Sequence, residues 1–251
     1  MRKLLVIGIG TGNPAHLTVQ AVEALRSLDA VFVLDKGGSK SALTRIRQEI
    51  CDRYMGERPY RFVAAPDPER DRAPADYGTA VADWHAARAA LLEDLIAQNL
   101  PEGGTGGFLV WGDPSLYDST LRIIDRIAAR GRLPFTHAVI PGISSVQVLC
   151  ASHRIALNRI GEPVHVTTGR RLAEGLPEPL DTTVVMLDGD PALDRLDPDL
   201  TIHWGAYLGT PDEIVVAGRI GDVAPEILRL RAEARARHGW IMDTYLLRRP
   251  R

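Results

Sequence analysis

Strand-length apolar runs alternate with longer segments of helical period through the first 140 residues of this 251-residue chain. Such alternation reads as repeated βα units and a mostly parallel sheet, because parallel neighbours need a crossover long enough to hold a helix. Residues 3–9 read as a strand feeding a helix over about 16–28, with Leu17, Ala21, Ala24, Leu25 and Leu28 on one face; "AVFVLD" at 30–35 reads as the next strand and 39–54 as a second helix. From Ala80 to Leu100, the positions Val81, Trp84, Ala87, Leu91, Leu95 and Ile96 recur at three or four, the period of an amphipathic helix. Trp84 reads there as core and His85 as surface. "FLVWGD" at 108–113 and "FTHAVI" at 135–140 complete this first sheet. The strands expected at 182–188, 201–207, 214–220 and 240–247 have one helix among them, near 224–237, so a second, partly antiparallel domain is expected. The expected fold class is α/β: two α/β domains, 1–140 with a mainly parallel sheet and 141–251 with a mixed one.

Composition narrows the function. At 45% hydrophobic and 25% charged, the chain can bury a substantial core. A formal charge of −2, with both signs interspersed, argues against nucleic acid and against a charged membrane surface as partners. Cys51 and Cys150 are far apart without a CxxC, and the seven histidines have no metal-ligand spacing, so reduced structural thiols and no metal are expected. No apolar run approaches the ~18 residues of a membrane span. The N-terminus also lacks the apolar core and cleavage site of a signal peptide, and a cytoplasmic protein is expected. The stretch "PDPERDRAPADYG" at 66–78, with six charges and three prolines, reads as a solvated loop or a lid over a site.

Three motifs follow strands. "GIGTGNPAHLT" at 8–18 looks like a dinucleotide fingerprint, with Gly8 and Gly10 in place and Asp35 at the distance of a ribose-binding acid. The third glycine of the fingerprint is Asn13, however, and Pro14 after it has no N–H to offer a phosphate. Asn-Pro reads better as a turn that delays the helix to about His16. "VWGDPSLYDST" at 110–120 ends a strand on Gly-Asp-Pro, at the sheet edge where ligands of open α/β folds bind. Gly112 permits a close backbone approach, and Asp113 is suited either to a ligand or to capping a helix near Ser115. "VIPGISSVQ" at 139–147 repeats the layout, with Ser144 and Ser145 at a helix start; N-capping accounts for one of the two.

The order of these motifs, with "FVLDKG" at 32–37, "DYGTAVADWHAAR" at 76–88, "IGEPVHVTTGRRL" at 160–172, "WGAYLGTPDEI" at 204–214 and "GWIMDTYLLRR" at 239–249, resembles the tetrapyrrole methylases. These are S-adenosylmethionine-dependent methyltransferases of corrin and sirohaem synthesis. Thr11 and Asn13 stand where the family usually has a proline and an acid. The resemblance implies that the cofactor lies folded in the cleft between two α/β domains, and that the glycine loop bounds a substrate trough instead of cradling phosphate. It implies cofactor contacts from Thr11, Trp111, Gly112, Asp113, Tyr117, Ser144 and Ser145, with Leu116, Met186, Ala206, Tyr207 and Trp240 on the adenine side. The branch most resembled methylates precorrin-5 at C-1 and removes its C-11 acetyl group, giving precorrin-6A, acetate and S-adenosylhomocysteine. Removal of an acetyl group needs water, a base and stabilisation of an oxyanion. Asp35 is the candidate base, and Lys36, Arg70, Arg72, Arg170 and Arg171 are available in loops for substrate carboxylates. A homodimer is the expected assembly. Two other classes remain open on the sequence: a nicotinamide-dependent oxidoreductase, resting on Gly8, Gly10 and Asp35, and a corrinoid-binding module without catalysis.

Overall fold

The computed structural model describes residues 1–35, 37–38, 41–69, 76–175 and 181–250, which divide into two compact units, Met1–Ile143 and Ser144–Arg251. In the first unit, β1 (Arg2–Gly8), β2 (Ala30–Asp35), β3 (Arg61–Pro66), β4 (Thr105–Val110) and β5 (Phe135–Ile140) form a wholly parallel sheet of order β3-β2-β4-β1-β5. Its helices are α1 (Val19–Arg26), α2 (Ser41–Tyr54), α3 (Tyr77–Asn99) and α4 (Thr120–Arg130). A parallel sheet is covered on both faces, and alternate residues of each strand serve the two sides. Leu4, Val6, Phe32 and Phe108 pack with Leu92 and Ile96 of α3 and Ile124 of α4, while Leu5, Ile7, Val31 and Leu109 pack with Leu25, Ile50 and Cys51.

β2 and β5 have the bounds that the sequence predicts. β4 begins three residues earlier than expected, at Thr105, and stops at Val110, before Gly112 turns the chain with a φ of 69°. β3 has no counterpart in the sequence reading, because this edge strand is only half-buried and shows no clear alternation. The Asn13 side chain accepts from the Ala15 amide and caps a short 3-10 turn, Pro14–His16; Thr18 then caps α1, which starts at Val19 and not at His16. α3 is also rotated from its expected face. Ala87 is exposed, whereas His85, Arg88 and Glu93 are 8%, 8% and 2% exposed beside Ala89 and Leu92, so His85 is not the surface residue expected of it. Those polar groups tolerate burial because they are paired: Arg88 binds Asp67 through Nε and Nη2 at 2.6 and 2.5 Å, and Glu93 binds Arg130 at 2.7 Å. The His85 ring stacks on Trp84 at 5.4 Å, and burial keeps it more readily neutral than a free histidine.

In the second unit, β6 (Val164–Thr168), β7 (Thr182–Met186), β8 (Thr201–Ala206), β9 (Ile214–Arg219) and β10 (Asp243–Arg248) form a mixed sheet of order β6-β7-β10-β8-β9. β6 and β7 are parallel, and the other pairs antiparallel. The helices are α5 (Ser145–His153), the single turn α6 (Gly169–Leu172) and α7 (Ile220–His238). Trp204, Tyr245, Val185 and Leu247 form the core with Ile220 and Ile227 of α7. Of the described helices, none is long and apolar enough to cross a membrane. Cys51 and Cys150 are both free, and burial, followed by the neighbouring Asp52 charge, pushes the Cys51 thiol up to about 12.

Candidate active site

The opening glycines meet other glycines at the carboxyl edge of the first sheet. A Cβ on Gly8 would lie 2.6 Å from the Gly142 nitrogen and 2.8 Å from the Gly112 oxygen; on Gly142 it would lie 2.2 Å from that same oxygen. The chain segments leaving β1, β4 and β5 therefore touch backbone to backbone, a packing that only glycine allows. Gly10 exchanges hydrogen bonds with Gly112 in an isolated antiparallel bridge, at 2.7 Å from the Gly112 amide and 3.3 Å to the Gly112 oxygen. The Gly112 amide is thus taken by Gly10. The strand order also removes the dinucleotide reading: β4 lies between β1 and β2, so Asp35 does not flank the glycine loop as it does in the 3-2-1-4-5-6 order of such folds.

Asp113 ties the same segments together with its carboxylate. One oxygen accepts from the Ser115 amide at 2.8 Å and from the Ser115 hydroxyl, and the other accepts from the Gly142 amide at 2.8 Å. Burial works to raise this carboxyl, but the bonds from Ser115 and Gly142 outweigh it and hold it below the ordinary carboxylate range. Asp113 organises a turn and does not cap a helix, since α4 starts five residues after Ser115. Thr11 is 3% exposed, with its hydroxyl 3.5 Å from His16 Nδ1. Trp111 and Leu116 are half-buried, and Tyr117 holds a left-handed φ of 52° with 44% of its surface exposed. Such a conformation costs about 1–3 kcal/mol in a non-glycine residue and concentrates at functional sites.

Both serines of the third motif have partners within the second unit. Ser144 caps α5, where its hydroxyl accepts from the Val146 amide and its own amide donates to Gln147 Oε1 at 3.0 Å. Ser145 accepts from Thr244 of β10 at 2.9 Å.

Asp35 ends β2, half-buried; its Oδ1 accepts from the Gly37 amide at 2.8 Å. Beside it the sheet opens. β2 and β4 pair only at Ala30 with Gly106 and Val31 with Gly107, so the ladder between them ends before Leu109. Val110 gives its carbonyl to Ile9 on the β1 side, which points the Leu109 carbonyl into the opening. Arg47 of α2, which the sequence reading passed over, fills the gap: Nε donates to the Leu109 oxygen and Nη1 to the Leu43 oxygen, both at 2.9 Å. Lys36, Arg70 and Arg72, with the rest of 70–75 in the charged stretch at 66–78, lie outside the described residues. What is described of that stretch is held: Asp67 pairs with buried Arg88, and the Pro68 carbonyl accepts from Trp84 Nε1 at 2.8 Å.

At the edge of the second sheet, Met186 ends β7 half-buried, and Leu187 follows with a φ of 53° and 65% of its surface exposed. Leu187 is the apolar residue at this edge that sequence reasoning missed; the run from 182 gives no sign that the strand has ended. Ala206 and Tyr207 are enclosed, at 0% and 4% exposure. The Tyr207 hydroxyl donates to the Trp240 carbonyl at 2.5 Å, and the two rings meet edge to face at 5.1 Å. Below this edge runs a buried polar chain. Tyr245 donates to Asp188 at 2.6 Å, Arg231 to the Asp188 carbonyl at 2.6 Å and to Asp243 at 2.9 Å, and Trp204 to Asp243 at 3.0 Å. Arg170 and Arg171 lie exposed on α6, where Arg171 pairs with Glu174 at 2.7 Å.

Residues 3–224 match the family model of the Tetrapyrrole (Corrin/Porphyrin) Methylases. A precorrin-6A synthase [deacetylating] from Sinorhizobium sp is 54% identical over 99% of this chain and 96% of its own length. Among solved structures, a cobalamin synthesis related protein, CobF, from Corynebacterium diphtheriae aligns with a TM-score of 0.85 at 43% identity, over 99% of this chain and 98% of that one. A uroporphyrin-III C-methyl transferase from Thermus thermophilus, complexed with S-adenosylhomocysteine, shares the fold with a TM-score of 0.59 at 19% identity, over 98% and 91% of the two chains.

Proposed function

The chain belongs to the tetrapyrrole methylases and is a methyltransferase, and from that premise we propose that it converts precorrin-5 to precorrin-6A by methylation at C-1 and deacetylation at C-11. The observation that carries this reading is the 54% identity to a precorrin-6A synthase [deacetylating] along nearly the whole of both chains. S-adenosylmethionine is the methyl donor in this reading, and its sulfonium supplies an activated methyl group that needs no protein nucleophile. The residues present fit such a donor. In the first unit, the glycine contacts clear side chains from the turn Trp111–Asp113 and hold it rigid, with Thr11, Leu116 and Tyr117 around it. In the second unit, Ser144, Ser145, Met186, Ala206, Tyr207 and Trp240 are the residues proposed to contact the donor, and the exposed Leu187 beside Met186 adds apolar surface suited to an adenine. Enclosed Ala206 and Tyr207 act by shaping this edge. Positioning and exclusion of water are what such a site contributes to an in-line displacement.

Asp35 is the base of the deacetylation, with one oxygen held by the Gly37 amide and the other free of partners among the described residues. A cytoplasmic homodimer completes the reading. Incubation with precorrin-5 and labelled S-adenosylmethionine tests it by mass spectrometry: the product gains one methyl group and loses one acetyl group. A methyl gain with the acetyl retained by the wild-type enzyme would assign it to another tetrapyrrole methylase step. Thermal stabilisation by NAD(P)H and not by S-adenosylhomocysteine would overturn the methyl-donor assignment.

A further inference from the structure

The opening between β2 and β4 holds a cation in an unusual setting. Arg47 spends Nε and Nη1 on the two carbonyls that fix its position, and its last nitrogen, Nη2, has no partner among the described residues. The carboxylates of Asp118 and Asp35 both act on the guanidinium, yet neither forms an ion pair with it among the described residues. Asp118 is engaged in capping, since one of its oxygens accepts from the Thr120 amide at 2.6 Å as α4 begins. Two negative charges around one positive charge disfavour a further carboxylate at Nη2 and leave it to a neutral carbonyl oxygen; a negative charge can develop on that oxygen as Asp35 is itself neutralised by the proton it accepts.

We infer that Arg47 is the electrophile of the deacetylation, with Nη2 donating to the oxygen of the C-11 acetyl group. The assignment rests on the reaction proposed above. Water forms a bond to the acetyl carbonyl carbon while its proton passes to the Asp35 carboxylate, and the carbonyl π pair becomes an oxyanion held against Nη2. When the carbonyl re-forms, the bond from C-11 to the acetyl carbon breaks. Its electron pair enters the conjugated macrocycle, which takes back the proton from Asp35. Acetic acid leaves and ionises, and the sum is the addition of one water across the broken bond. Arg47 also explains why the sheet opens here: closing the β2–β4 ladder would occupy the Leu109 carbonyl that fixes the guanidinium.

The test is single-turnover mass spectrometry of precorrin-5 with labelled S-adenosylmethionine, comparing wild type, Arg47→Gln and Arg47→Lys. Loss of one oxyanion donor slows its step by about 100-fold or more. Arg47→Gln therefore accumulates the methylated, still acetylated product; its KM for precorrin-5 stays within about twofold of wild type, as for a contact made chiefly in the transition state. Arg47→Lys retains more of the deacetylation, and low-millimolar guanidinium chloride restores part of the rate to Arg47→Gln. S-adenosylhomocysteine titration of Arg47→Gln gives the wild-type affinity if the variant is folded. Acetate release at the wild-type rate overturns the assignment. So does an equal slowing of both steps with a raised KM and no rescue by guanidinium, which would make Arg47 a substrate anchor. Failure of the wild-type enzyme to release acetate from precorrin-5 overturns the reaction itself, and this inference with it.

Discussion

The carboxyl edges of the two sheets are built by opposite means. In the first unit, the segments leaving β1, β4 and β5 are held by the absence of side chains, with Gly8, Gly112 and Gly142 in backbone contact and Asp113 joining two of the segments. In the second, they are held by buried side chains, the chain Tyr245–Asp188, Arg231–Asp243 and Trp204–Asp243 running beneath Met186 and Leu187. Backbone packing brings these segments together with no side chain between them. A side-chain network fills its own space and supports the rim from below, so residues such as Ala206 and Tyr207 become enclosed. Burial raises the Asp243 carboxyl in spite of Arg231 and Trp204, the mark of a pair whose desolvation is costly, whereas hydrogen bonds outweigh burial at Asp113.

The largest effect that separates the two edges comes from the network. Asp243→Asn leaves Arg231 buried at 9% side-chain exposure without its counter-charge, and a loss of about 3–5 kcal/mol is expected in urea unfolding. Replacing both partners with apolar residues of similar volume recovers most of that loss. A cost below 1 kcal/mol for the single change would show that the second edge does not depend on the pair. Next in size is Gly142→Ala, whose methyl group would stand 2.2 Å from the Gly112 oxygen. About 1–3 kcal/mol of stability and most of the affinity for S-adenosylhomocysteine are lost. Gly189→Ala is the matching change in the second unit, where nothing stands within 4 Å of the new methyl group, and its midpoint should not move.

The smallest effect is that of Asp113. Asp113→Ala keeps the fold and weakens S-adenosylhomocysteine binding about 10-fold, or ~1.4 kcal/mol by calorimetric titration. Because the folded-state carboxyl is held below its ordinary value, its contribution is complete above the unfolded value of about 3.9. It disappears as pH falls through the lowered one. Wild type should therefore lose stability on acidification more steeply than Asp113→Asn. Equal acid limbs would remove the carboxylate from the support of this edge.

Much of the first unit was legible because its determinants are local in sequence. Apolar runs of strand length mark β1, β2 and β5, and Gly-Asp-Pro and Pro-Gly-Ile-Ser-Ser mark strand ends, since a turn at a sheet edge demands the residues that permit it. Edge strands β3 and β6 were missed because half-burial leaves a weak pattern. The face of α3 was misplaced because His85, Arg88 and Glu93 look solvent-exposed until their partners Trp84, Asp67 and Arg130 are known.

From its residues alone the chain determined its class, its two-part organisation and the positions of the glycine turns, since periodicity and backbone freedom are properties of short stretches. The family likeness carried in those turns pointed to the methyl donor. Tertiary structure decided what the glycines do and which charges matter. It placed β4 between β1 and β2, which turns a nucleotide-like loop into a backbone contact, and it opened the sheet so that Arg47, which no motif singles out, reaches the Leu109 carbonyl. The physical reason is range: strand order and the pairing of buried charges depend on groups tens of residues apart, whose meeting no local pattern encodes.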